Sequence, residues 1–268
     1  MKNLPTVLIT GASSGFGHHF AKLFAQDGYN LVLVARREPL LKEIAEELNT
    51  TYGAAVKILP KDLFVPSAPQ EIYDTLKQEN IVVDVLVNNA GFGNYGKFAT
   101  NAVEDELNLV QLNVNALTYM TRLFVADMVD RRAGAIINVA SMAAFAPGPY
   151  LASYCASKAY VLYLTEAIAE EVSSFGVKMM ALCPGASPTG FQTVAKNEHS
   201  LIGGRVNALM APAEEIINEA YADFKAGKTI SIPGRGNRIG QKMIRVIPRA
   251  WIRKGGKKLM YTKELGEQ

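Results

Sequence analysis

Short, almost wholly apolar runs rich in β-branched residues alternate with longer helix-periodic stretches through most of this 268-residue chain. The runs are Thr6–Thr10, Asn30–Ala35, Ala55–Leu59, Val83–Asn88, Gly134–Ala140, Val177–Cys183 and Thr229–Ile232. Strands covered by helices on both faces have no solvent side, so they lose the polar alternation of an open antiparallel sheet. Between them lie the helical patterns Gly17–Gln26, Pro39–Leu48, Pro69–Lys77, Val103–Arg131, Tyr154–Phe175 and Pro212–Lys225. This rhythm predicts an α/β fold: a doubly wound parallel sheet of about seven strands, Rossmann-type, in a single domain. Residues 1–234 form that domain, and 235–268 form a basic amphipathic C-terminal extension. Ligands of such sheets bind beyond the carboxyl ends of the strands, so the loops that follow them are where chemistry is sought.

With 49% hydrophobic and 20% charged residues, the chain is neither disordered nor of low complexity. Cys155 and Cys183 lie in apolar contexts and read as reduced, buried thiols. The opening residues lead straight into a strand-like run without a signal peptide, and a cytoplasmic protein is expected. Ala133 to Ser157 carries no charge, but Pro147-Gly148-Pro149 and several polar groups make it a strand, a loop and a helix start rather than a membrane span. The formal net charge of +3 hides a division. Of 28 Lys/Arg and 25 Asp/Glu, 12 bases and two acids (Glu264 and Glu267) lie from Lys225 onward, giving +10 there and −7 on the rest.

After the first strand comes Thr10-Gly11-Ala12-Ser13-Ser14-Gly15-Phe16-Gly17. Gly11 suits the tight turn off the strand, Gly15 the approach of a phosphate to backbone, and Gly17 close packing of the next helix, whose N–H groups face the anion. A strand end that binds the ribose hydroxyls of NAD usually carries Asp or Glu. Here the second strand ends Ala35-Arg36-Arg37, cations suited to the 2′-phosphate of NADP(H). Asp62-Leu63, after the third strand, is placed to meet an adenine ring.

Tyr154 and Lys158, four apart on a helix, share one face. An ammonium beside a phenol, helped by an oxidised nicotinamide ring, lowers its pKa; three units correspond to ~4 kcal/mol and would bring Tyr154 into acid–base range. Ser141, at the end of the fifth strand, can hold a carbonyl oxygen while Tyr154 protonates it.

Together with Asn88-Asn89-Ala90-Gly91 and Pro184-Gly185, these motifs follow one another in the order and spacing of the short-chain dehydrogenases/reductases, which the chain resembles over residues 4–234. The resemblance implies that Ser141, Tyr154 and Lys158 are catalytic, with Lys158 also holding the nicotinamide ribose. It implies a fourth member, an Asn in the helix after the Asn-Asn-Ala-Gly motif. Asn113 and Asn115 are the candidates, and Asn113 is chosen because Leu117 and Met120 then fall where the family's helix packs. The implied cofactor contacts are Gly11, Ser13, Ser14, Gly15, Phe16, Gly17, Arg36, Arg37, Asp62, Leu63, Asn89, Ala90, Gly91, Tyr154, Lys158, Pro184, Gly185 and Thr189, with Asn89 lining the cofactor or serving loop structure. The implied assembly is a homodimer or homotetramer.

The reading that follows is an NADPH-dependent oxidoreductase acting on an apolar ketone, aldehyde or secondary alcohol. The uncharged Met142–Leu151, the Phe92–Tyr95 loop and residues 186–210 are expected to form its pocket, the last as a mobile lid. The alternatives are a catalytically silent NADP(H)-binding regulatory protein and a peripheral membrane reductase of lipid ketones. His18, His19 and His199 are given no role, no metal is assigned, and nucleic acid is not an expected partner. The extension, interrupted by Pro248, reads as two short amphipathic pieces. They cover the pocket or a subunit contact with their apolar face, lie on an anionic membrane, or hang loose in solvent.

Overall fold

The computed structural model describes residues 4–187 and 211–261. Seven parallel strands form one sheet in the order β3-β2-β1-β4-β5-β6-β7. They are β1 (Thr6–Thr10), β2 (Asn30–Ala35), β3 (Val56–Pro60), β4 (Val85–Asn88), β5 (Gly134–Val139), β6 (Val177–Leu182) and β7 (Ile230–Ser231). All the pairings are parallel, so every strand delivers its carboxyl end to the same edge.

The helices are α1 (Gly15–Gln26), α2 (Glu38–Tyr52), α3 (Ala68–Gln78), α4 (Val103–Val110), α5 (Leu117–Asp130), α6 (Ala152–Val172), α7 (Ala213–Lys225), α8 (Arg235–Val246) and α9 (Arg249–Met260). Two cores sandwich the sheet. Val7 and Ile9 pack with Phe20 and Phe24 of α1 and Ile217 of α7 on one face, while Leu8 between them packs with Ile72, Met120 and Phe124 on the other. Alternate β1 side chains thus serve opposite layers, which is why the run is apolar throughout.

The expected helix over Val103–Arg131 is continuous but not uniform. A π-helical turn, Gln111–Ala116, separates α4 from α5. Wide turns of this kind are rare and recur at functional sites; this one holds Asn113. The uncharged Ala133–Ser157 stretch divides into β5, a short 3₁₀ turn at Met142–Phe145 and the start of α6. Among the described residues no helix is long and apolar enough to cross a membrane.

From 235 to 260 the extension is helical and packed against the domain. Pro248 ends one helix and starts the next, where its missing N–H costs nothing. Arg238 of α8 pairs with Glu219 of α7, which also accepts from the Gly234 N–H at 2.8 Å. Asn237 lies over Gly185, and a Cβ there would come within 2.6 Å of the carboxamide. The Tyr95 hydroxyl donates to the Met260 carbonyl at the end of α9.

Candidate active site

The loops leaving β1, β2, β4, β5 and β6 meet at the common carboxyl edge. Gly11 has φ +64°, and a Cβ on it would fall 2.9 Å from Asn89 Nδ2. A Cβ on Gly17 would lie 2.4 Å from the Gly11 carbonyl oxygen. The loop and the first turn of α1 therefore close into a cradle that only glycine permits. Asn89 clamps it: Nδ2 donates to the Thr10 carbonyl at 3.0 Å and to that of Gly11 at 3.1 Å. The Thr10 hydroxyl accepts from the N–H groups of Asn89 and Ala90. These contacts give Asn89 a loop-building part.

Both arginines after β2 are exposed, and Arg37 reaches the cradle. Arg37 Nη2 donates to Ser13 Oγ at 3.1 Å, with Ser14 Oγ at 3.5 Å. The Arg36 guanidinium lies 5.3 Å from the centroid of the Phe64 ring, which meets Phe92 edge-on. Asp62 accepts from the Phe64 N–H, and Leu63 is buried. The backbone cradle, the two exposed arginines and the Phe64 ring suit a dinucleotide cofactor.

At the other end of the edge, Lys158 Nζ is buried and donates to the Val139 carbonyl at 2.8 Å. It sits 5.8 Å from the centroid of the Tyr154 ring. Tyr154 hydrogen-bonds to Ser141, whose Oγ also accepts from the Ala143 N–H at 3.1 Å. A Cβ on Gly91 would meet Asn113 Oδ1 at 3.0 Å and Lys158 Nζ at 3.3 Å. Ser141, Tyr154, Lys158, Asn113 and Gly91 thus gather from β5, α6, the π-turn and the loop after β4. Asn115 does not join them: it is exposed and donates to Gln111 one turn back.

The electrostatics differ from the expectation of a lowered tyrosine pKa. Burial pushes the Tyr154 hydroxyl up to about 12, its bond to Ser141 pulling the other way. Burial brings Lys158 down to about 8. With Nζ committed to a carbonyl and 5.8 Å from the ring centroid, desolvation outweighs ammonium attraction. The protein's own groups keep the Tyr154 phenol neutral.

Pro184 is buried, its carbonyl accepting from the Met142 N–H at 2.9 Å, and Gly185 lies under Asn237. Thr189, His199 and most of the expected lid lie outside the described residues. Cys155 and Cys183 are free and buried. Three contributors were not singled out from sequence: the Thr10 hydroxyl, the Phe64 ring and Ser157, which accepts from Asn113 Nδ2 at 3.1 Å. Thr10 was visible as the first residue of the glycine motif, and Phe64 as an aromatic next to Asp62-Leu63.

The fold and this edge define a dinucleotide-binding oxidoreductase architecture. Residues 5–200 match the short chain dehydrogenase family, and the chain belongs to it. It is 33% identical over 235 residues to the 7beta-hydroxysteroid dehydrogenase of Mediterraneibacter gnavus, covering 84% of each chain. A short-chain dehydrogenase from Sphingobium yanoikuyae in complex with NADPH superposes with a TM-score of 0.80 at 32% identity, covering 92% of this chain and 97% of that one. One from Burkholderia phymatum in complex with NAD does so at 0.79 and 26%, covering 89% and 92%. Two other curated relatives are matched over only 59% and 63% of their own length.

Proposed function

We propose that the protein is an NADP(H)-dependent oxidoreductase that moves a hydride between the cofactor and an apolar ketone or aldehyde, or the corresponding secondary alcohol. One observation carries this reading: a neutral, Ser141-bonded Tyr154 beside a buried Lys158, on the same sheet edge as the glycine cradle. The bound cofactor supplies or receives the hydride. Ser141 and Tyr154 hold the substrate oxygen, and Tyr154 gives it a proton during reduction or removes one during oxidation. Lys158 and Asn113, which converge above Gly91, hold the nicotinamide end and link Tyr154 to the proton supply. Arg36 and Arg37 favour the 2′-phosphate and hence NADP(H), since no carboxylate opposes it at the end of β2.

The uncharged Met142–Leu151 segment, with Tyr95 and Tyr150 meeting edge to face at 6.3 Å, supports an apolar substrate. The name of the Mediterraneibacter relative, a hydroxysteroid dehydrogenase, supports a bulky one. Exposed Val103 and Leu107 of α4 and Tyr163 of α6 suit a contact with a second copy.

The test is oxidation of NADPH by the purified protein across a panel of bulky apolar ketones. Tyr154→Phe is expected to abolish turnover and keep cofactor binding. Full activity in that variant overturns the mechanism, and tight NADPH binding without turnover of any carbonyl favours a regulatory binding protein.

A further inference from the structure

Helix α8 is seated the wrong way round for a helix that only packs on its own domain. Among its buried or half-buried positions, which also include Arg238 and Gly240, Asn237, Gln241 and Ile244 (spacing i, i+4, i+7) form the row toward the body. Two of the three are polar. Ile239, Met243 and Val246 repeat the same spacing two residues on, about 200° around the helix, and point away from the body. They are 60%, 53% and 80% exposed. α8 therefore does not turn its apolar row onto the domain, whereas α9 reaches the Met142–Leu151 segment. There Gly256 meets Pro149 and Met260 approaches Gly148, while Trp251 stands 71% exposed. α8 is not free to turn over, because Glu219 holds Arg238 and the Gly234 N–H, and Asn237 is locked above Gly185.

Around this row the charge is of one sign. Residues 235–260 hold nine Lys/Arg and no Asp/Glu. Among the described residues only Arg238 of the nine is ion-paired. We infer that the outer face of α8 and the Trp251 end of α9 form a docking surface for an anionic lipid bilayer. Ile239, Met243, Val246 and Trp251 enter the headgroup–acyl boundary, and Lys242, Arg245, Arg249, Arg253 and Lys254 meet lipid phosphates and carboxylates.

Charge complementarity selects this occupant. A two-fold contact with a second copy would set Lys242, Arg245 and Arg249 against their own images, unneutralised. A nucleic-acid backbone would match the cations but leave the apolar row without a partner. Only a surface both anionic and apolar beneath satisfies both sets of side chains. The inference rests on the extension alone and does not depend on the reaction assigned to the Tyr154 site.

Trp251 is the chain's single tryptophan, so the surface carries its own reporter. The full-length protein is mixed with phosphatidylcholine vesicles, with and without phosphatidylserine, at low and high salt. It is expected to co-sediment only with the phosphatidylserine vesicles, with Trp251 emission shifted to the blue and binding weakened about tenfold or more by high salt. Ile239→Asn/Met243→Asn, on side chains that touch solvent, is expected to cut binding about tenfold with NADPH affinity and melting temperature unchanged. Lys242→Gln/Arg245→Gln/Arg249→Gln is expected to do the same. Protein remaining in the supernatant overturns the proposal, as does binding with unshifted Trp251 emission. So does an Ile239→Asn/Met243→Asn variant that keeps vesicle binding while losing mass in light scattering, which would make this face a contact between copies.

Discussion

The carboxamide of Asn113 is joined twice to one backbone unit: it accepts from the Phe92 N–H at 3.1 Å and donates to the Phe92 carbonyl at 2.9 Å. The π-turn points a fully buried side chain at the loop after β4, and Ser157 accepts its second amide hydrogen.

Asn113→Leu strips Phe92 of both partners in a partly buried setting. The expected cost is about 2–4 kcal/mol, from unpaired polar groups at roughly 1–3 kcal/mol each. Turnover should fall with it, because the displaced loop carries Gly91 beneath Lys158 Nζ. Asn115→Ala, at an exposed position, should change stability by less than about 0.5 kcal/mol. Thermal melts and steady-state rates of the two variants check this; equal effects would remove the distinction between the two asparagines.

Lys158 predicts a pH signature in stability. Its pKa falls from 10.5 unfolded to about 8 folded, so its charged form is disfavoured by folding. Below about 8 both states carry the proton and the penalty is complete. Between about 8 and 10.5 the unfolded chain binds the extra proton, so stability rises with pH across that window. The shift corresponds to ~3 kcal/mol. Lys158→Met should remove this rise: denaturant titrations should find the variant most stabilised relative to the parent near neutrality, with the advantage shrinking toward pH 10.5. A parallel offset at all pH values would show that the lysine is not the group responsible.

The sheet was legible because its cause is local. Runs buried on both faces must be apolar, and β1 and β2 begin and end where the composition says. The ends of β3 and β4 shifted because Pro60 still completes a register with Ala35, whereas Val83 and Asp84 precede the ladder to β5. Spacing brought Tyr154 and Lys158 together, but the Tyr154 pKa depends on desolvation, which no spacing reports. The π-turn was hidden for a similar reason. Gln111–Ala116 has ordinary helical composition, and the widening becomes visible only once Asn113 has a loop to bind. In the extension, amphipathicity was plain from sequence. Which face looks outward was decided by distant residues, Glu219 and Gly185.

Arg37 should decide cofactor choice. Its guanidinium, bonded to Ser13, lies beside the cradle and is exposed enough to meet an added phosphate. Arg37→Ala removes one charge-assisted pair, at about 1.5–3 kcal/mol, or on the order of tenfold to a hundredfold in affinity. Fluorescence titration should show this loss for NADPH and little change for NADH. An equal loss for both would mean that Arg37 only shapes the loop, and tighter NADH than NADPH binding by the parent would reverse the cofactor assignment.

Two glycine-to-alanine changes should move stability in opposite directions. At Gly17 the new methyl would sit 2.4 Å from the Gly11 carbonyl oxygen and 2.7 Å from Asn89 Nδ2. Backbone must yield on one side and the Asn89 clamp on the other. An overpacking cost of about 1–3 kcal/mol follows, together with loss of NADPH affinity as the cradle opens. At Gly236, in the first turn of α8, a methyl meets nothing within 4 Å. The substitution there should add up to about 1 kcal/mol by restricting the unfolded chain and favouring the helix, with cofactor binding unchanged. Melting curves and NADPH titrations of both variants check the pair. A Gly17→Ala protein that binds NADPH normally would show that the first turn of α1 adjusts, and that the cradle is not where the pyrophosphate rests.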